Sequence, residues 1–189
     1  YASGLMSDAL RNLPSFPLTE PFTAQGYSRP VFIPGATIAP SVLSTTGNNV
    51  IVDWVIVEMR PSATPSVVSA SRAVLLQRDG DIVDLDGVST VGFSGLAPGN
   101  YCVAVISRNH LPVMLSPSTP IAYGGAVATV DFTLPSTALY NANASKNVSG
   151  TMLMKAGVVT LDATLSSFGL NSVREPARPK WSAEPPALT

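Results

Sequence analysis

Charge is the scarcest ingredient of this sequence. Of 189 residues only 12% are Asp, Glu, Lys or Arg, and the formal net charge is −1. That share is about half of the ~25% usual in soluble domains. Lysine is confined to Lys146, Lys155 and Lys180, so no basic stripe exists to neutralise phosphates and nucleic acid is excluded as a partner. Polar surface must come from Ser, Thr, Asn and backbone groups, which suits an extracellular protein or one that covers itself against neighbours. Cysteine and histidine occur once each. Cys102 cannot close a disulfide within the chain, and its place between Tyr101 and Val103 marks it as a small core side chain. His110 cannot form a His/His metal set. No Gly-x-Ser-x-Gly elbow accompanies it, because Phe93-Ser94-Gly95 lacks the first glycine, so His110 reads as a structural loop histidine. No apolar run of about 18 residues occurs, which excludes a membrane-spanning helix. The chain opens at Tyr1 without a basic and then apolar leader, as expected of an exported product whose signal has been removed.

What is present is strand and turn signal. Phe93-Ser94-Gly95-Leu96-Ala97-Pro98-Gly99-Asn100 is a turn, with Pro98 presetting φ and Gly99 permitting φ > 0, and Tyr101, Val103 and Val105 then share one face of a strand to Arg108. Val50 to Arg60 carries Val, Ile and Trp on both sides of the pleat, with Asp53 and Glu58 as exceptions, and reads as a central strand covered on both faces. Trp54 is its expected core anchor. Asp79-Gly80 joins Ala73–Arg78 to Ile82–Leu85 as a hairpin, and Asp86-Gly87 supplies the next turn. Val113 to Leu115 is a short edge. Ala126 to Leu134 is expected as a strand with Val130, Phe132 and Leu134 inward, closed by Pro135. Thr151–Met154 and Val158–Leu165 complete a set of eight or nine strands, and Asn141 to Asn147 reads as an exposed polar loop.

The ends differ from this middle. Residues 1–40 hold one short helix, with Ser7 as N-cap ahead of Ala9, Leu10 and Leu13, and then a Pro-rich stretch expected to run extended across the surface. Residues 172–189, with Pro176, Pro179, Pro185 and Pro186 around Trp181, are expected as an extended or polyproline arm. The division is therefore an N-terminal arm at 1–40, a β-sandwich domain at 41–171 and a C-terminal arm at 172–189.

Asp86-Gly87, Phe93, Gly95-Leu96, Pro98-Gly99 and Tyr101 resemble the turn-and-strand signature of prealbumin-like, Cna-B-type modules of bacterial surface proteins. The runs Gly4–Arg11, Pro17–Pro21, Thr46–Asn49, Val52–Val55, Leu76–Asp81 and Arg108–Leu111 resemble a recurrent β-sandwich module of large secreted proteins of the Bacteroidota. Over residues 4 to 157 the resemblance implies an exported, cell-surface or extracellular, non-catalytic β-module. Such modules often continue into a calcium loop after a Met-rich strand like Met152-Leu153-Met154. Here Val158-Val159-Thr160-Leu161 follows instead, without the carboxylates that loop needs.

Asp79, Asp81, Asp84 and Asp86 are the one carboxylate cluster, and hard oxygen ligands at this spacing are calcium candidates. The EF-hand order of ligands is not met, and Asp-Gly at both ends is what two turns demand, so no cofactor is assigned. Asn143-Ala144-Ser145 and Asn147-Val148-Ser149 match the glycosylation sequon, which in a bacterial chain is chance. Tyr27, Tyr123, Tyr140 and Trp181 fall in or near loops, where aromatics can stack on sugar rings or anchor protein contacts. The expected fold is all-β, an immunoglobulin-like or prealbumin-like sandwich with extended arms. The expected function is a non-enzymatic structural module that contacts other copies of itself or other surface proteins. Its arms, 14–40 and 172–189, would lie on a neighbour or add to an open sheet edge, with Phe16, Phe22, Tyr27, Phe32, Trp181 and Leu188 as contact residues. The alternative is a carbohydrate-binding module of a secreted polysaccharide-degrading protein.

Overall fold

The structure is a computed structural model that describes residues 5–13 and 16–156. Its centre is β1, Ile51–Pro61, of which the first ten residues are all buried. A strand with Val, Ile and Trp on both sides of its pleat gains most by lying inside a sheet with both faces covered, and this one does. β1 pairs antiparallel with β2 (Ala70–Gln77) on one side and with β4 (Gly99–Ser107) on the other. β3 (Ile82–Val83) continues from β2 through the Asp79-Gly80 turn, with Gly80 at φ 106°. Beyond β4 lie two short strands, β5 (Val113–Met114) and β6 (Ile121–Tyr123). The order is β3-β2-β1-β4-β5, with β6 also on β4, and every pairing is antiparallel.

Successive residues of a strand point to opposite faces, so β1 sorts its side chains cleanly. Trp54 and Ile56 join Ala73, Leu75 and Ile106 on one face. Val55, Val57 and Met59 join Val74, Tyr101 and Val105 on the other. The first face is covered by the N-terminal residues, through Phe16, Phe22, Tyr27, Phe32 and Ile38. The second is covered by Phe93, Leu96 and Phe132, by Met154 of a two-stranded ribbon, β7 (Ser145–Val148) with β8 (Thr151–Met154), and by Ala144 just before that ribbon. The described residues are thus all-β apart from three 3-10 turns, Ala9–Asn12, Pro40–Ser44 and Ala142–Ala144. No described helix is long and apolar enough to cross a membrane.

Several expectations change. The stretch Ala126–Leu134 is not a strand. The Asp131 carboxylate accepts from the Thr133 N–H (2.7 Å) and hydroxyl (2.6 Å), and Thr137 donates to the Asp131 carbonyl. These local bonds curl a backbone whose apolar alternation alone suggests extension. Leu134 consequently lies 48% exposed. The polar run read as a loop instead supplies β7, whose Lys146, Asn147 and Val148 are exposed. The N-terminal helix is a single 3-10 turn whose N-cap is Asp8 rather than Ser7, and the Ser7 hydroxyl accepts from the Ala9 N–H at 3.3 Å. At the β4 corner the left-handed residue is Gly95 (φ 76°), while Gly99 already belongs to the strand. The expected strand Val158–Leu165, the C-terminal arm and the residues Trp181 and Leu188 lie outside the described residues.

The N-terminal stretch does not run extended. Thr19 bridges Thr37, Glu20 N–H donates to the Ala36 carbonyl and Ile38 N–H to the Leu18 carbonyl, both at 2.8 Å. Residues 18–38 therefore close on themselves as a lobe. Trp54 reaches out of the sheet to hold its base, the indole N–H donating to the Pro17 carbonyl at 2.9 Å.

Gly124 offers a direct check of how β6 packs on the turn before β4. Its φ is 100°, and a Cβ there would stand 2.6 Å from the Cβ of Pro98, whereas a Cβ on Gly125 meets nothing within 4 Å. Gly124→Ala should lower stability by about 1–3 kcal/mol and Gly125→Ala by under about 0.5, measured by urea denaturation.

Candidate functional site

Glu58 and Arg60 are two residues apart on β1, so their side chains emerge on the same face. That face is the one the lobe covers, and both residues are buried, Glu58 at 0% and Arg60 at 1% exposure. A carboxylate withdrawn from water is tolerable only with close partners. Arg60 supplies two N–H groups to Oε2, Nε at 2.8 Å and Nη2 at 2.6 Å. The lobe supplies the rest. Tyr27 donates its hydroxyl to Oε1 at 2.5 Å, and the Arg29 guanidinium lies 3.6 Å from the same oxygen. The Tyr27 oxygen also meets Ser71 Oγ of β2 at 3.1 Å, and Arg60 Nη1 donates to the Pro65 carbonyl at 2.9 Å.

The lobe holds these groups through a second buried carboxylate. Glu20, 3% exposed, accepts from the N–H groups of Phe22 (2.8 Å) and Thr23 (3.1 Å) with one oxygen and from Gly35 N–H (3.0 Å) and the Thr23 hydroxyl with the other. This fixes the turn that presents Phe22, Tyr27 and Phe32. Tyr27 stands edge-on to Phe32, with ring centroids 4.9 Å apart, and to Phe22 at 6.4 Å, and the Arg29 guanidinium lies 5.9 Å from the Tyr27 ring centre. A cavity of about 250 Å³ opens beside them, lined by Thr23, Gly26, Tyr27, Ser28, Arg29, Phe32 and Pro34.

Burial and then the neighbouring Glu58 carboxylate push the Tyr27 hydroxyl pKa well above its ordinary value. Tyr27 therefore stays protonated and acts as a donor. Glu58 receives a donor on each oxygen and has no exposed surface. The cluster is built as a tie between lobe and sheet.

The residues expected from sequence are dispersed. Phe22 (0%) and Phe32 (8%) are buried against the chain's own sheet, with Phe16 and Tyr27 packed beside them. Tyr27 and Tyr123 belong to opposite faces, and Tyr123 donates its hydroxyl to the Phe93 carbonyl at 2.7 Å. Tyr140 is 44% exposed. The four aspartates do not converge. Asp84 pairs with Arg72 at 2.6 Å, Asp79 accepts from the Asp81 N–H, and Asp86 accepts from Val88 and Ser89. The Ser89 hydroxyl and N–H hold the exposed Asp86 carboxyl down to about 2. Among the described residues no three His, Cys, Asp or Glu side chains gather as a metal site. Cys102 is buried, and burial pushes its thiol pKa up. His110 Nδ1 lies 3.3 Å from Ser107 Oγ, and its backbone bridges Ala156.

Sequence reasoning missed Glu20, Arg29 and Arg60, although Glu58-x-Arg60 inside an otherwise apolar strand was a readable sign of a buried pair. Comparisons with protein-family models, with curated proteins and with solved structures find no match to this chain.

Removing Glu58 as Glu58→Ala strands Arg60 without its buried partner and should cost about 3–5 kcal/mol by chemical denaturation. The raised Tyr27 pKa gives a signed pH dependence. Above pH ~10 the unfolded chain loses the tyrosine proton while the folded chain keeps it, so that contribution is intact below ~10 and falls by at most about 1.4 kcal/mol per pH unit above it. Tyr27→Phe should flatten this alkaline decline in a stability series from pH 8 to 11.

Proposed function

We propose that this chain is a non-enzymatic structural module of an exported bacterial cell-surface or secreted protein, a subunit of a fibre or layer that works through protein contacts. The reading takes the six-stranded sheet, with the ribbon on one face and the lobe on the other, as an immunoglobulin-like or prealbumin-like sandwich. The observation that carries it is how the chain uses its few charges. Arg11, Arg29, Arg60, Arg72 and Arg108 each pair with a carboxylate of the same chain, and Glu20 and Glu58 are saturated by internal donors. Ionisable side chains placed this way hold loops and arms and leave contact to apolar and backbone groups.

The sheet edge supports the same reading. The long strands β1 and β4 lie inside the sheet, and β3, β5 and β6 at its margins have two or three residues each. Among the described residues, the outer side of β2 from Ala70 to Val74 meets a single bridge, Phe32 to Ser71. An uncapped ladder of this kind accepts a further strand.

The full chain should associate with rising concentration in light scattering and show ordered particles by electron microscopy, without retention on insoluble glycans. A monomer at every concentration, or strong glycan retention with a monomer, contradicts the proposal.

A further inference from the structure

The lobe has the construction of a part that changes owner. Its two ends are pinned to each other by the Thr19–Thr37 bridge and its interior by Glu20, so it keeps its shape as one body. It meets the sheet through side chains and the single Phe32–Ser71 bridge. The lobe is followed by the Pro40–Ser44 turn, whose Leu43 carbonyl accepts from Arg11 of the preceding residues at 2.8 Å, and a run of exposed residues, Thr45 to Asn49, then leads to the central strand, with Gly47 at φ 86° as a pivot. Its contact face carries Phe22, Tyr27, Phe32 and Arg29, the aromatic and arginine side chains that dominate contacts between chains.

The charged tie adds a second argument. Burying Glu58 against Arg60, Tyr27 and Arg29 costs desolvation that plain apolar packing would avoid. What such a tie adds is selection of the one lobe, in the one register, whose hydroxyl and guanidinium reach Oε1.

We infer that the lobe of one copy seats on the sheet of a second, so that Tyr27 of the partner subunit donates to Glu58 and Phe32 of the partner subunit bridges Ser71. Given mutually, the exchange closes a dimer, and handed onward from copy to copy it makes a fibre. The inference rests on the self-associating module proposed above and adds which segment crosses and what it meets.

Two variants of the full chain, Phe32→Cys and Ser71→Cys, are mixed, unfolded and refolded together under oxidising conditions. Bridged positions lie within disulfide reach, and each variant carries only one half of the pair. Exchange yields a disulfide linking one variant to the other through positions 32 and 71, which neither forms alone, while the buried Cys102 gives no such band. Because Phe32→Cys removes a core ring, a second mixture of Met6→Cys with Arg78→Cys reports whether the residues that precede the lobe cross with it, at a site where Met6 N–H donates to the Arg78 carbonyl at 2.8 Å. Absence of the mixed disulfide in both mixtures, with a disulfide within one chain in the Phe32→Cys/Ser71→Cys double variant, overturns the exchange. If light scattering still shows association in that case, the structural reading stands without it. If association is absent as well, both fall.

Discussion

A carboxylate without access to water sits on the central strand, and the rest of the fold is arranged to make that tolerable. Glu58 is flanked by apolar residues on the most buried strand of the sheet. Arg60, two residues along the same face, balances its charge but occupies one oxygen. The other oxygen calls for donors from above the sheet. Those donors are Tyr27 and Arg29, and the N-terminal lobe is the device that brings them there. The aromatic contacts of Phe22, Tyr27 and Phe32 seal the same region from solvent, so burial and pairing reinforce each other.

The same economy runs through the molecule. A chain with this little charge places its carboxylates where they organise backbone. Glu20 gathers three N–H groups inside the lobe, Asp131 curls the segment after β6, and Asp86 closes a turn. Asp53 accepts from Arg108 and from the Trp54 N–H beside the irregularity at the start of β1. Trp54 in turn donates to Pro17 and fixes the lobe's near end. Charge, bulge and anchor thus form one connected path from the sheet to the arm.

The middle of the fold was legible because turn chemistry and period-2 patterning agree there. Val50 to Arg60, the Asp79-Gly80 hairpin and the strand from Tyr101 all appear, and Trp54 is fully buried. Where they disagree, local hydrogen bonding wins. Val130-Asp131-Phe132-Thr133-Leu134 alternates like a strand, yet Asp131 bonds its own neighbours first. β6 was missed because it is only three residues long and β7 because it is short and polar, and their pairing is set by the strands they dock on rather than by their own residues. The lobe was illegible for a different reason. Prolines between residues 14 and 40 suggest extension, and the loop is closed by contacts across fifteen or more residues, Glu20 to Gly35 and the Thr19–Thr37 bridge. The aspartates from Asp79 to Asp86 make the turn bonds that the two Asp-Gly steps suggest, and Asp84 pairs with Arg72.

The coupling between lobe and sheet across the Tyr27–Glu58 hydrogen bond can be measured as a double-mutant cycle. Tyr27→Phe, Glu58→Gln and the double variant are compared with the parent chain by urea denaturation at pH 7. A charge-assisted bond at the centre of the structure predicts a coupling of about 1 kcal/mol or more. Additivity within about 0.3–0.5 kcal/mol would contradict it, and with it the claim that this carboxylate holds the arm to the sheet.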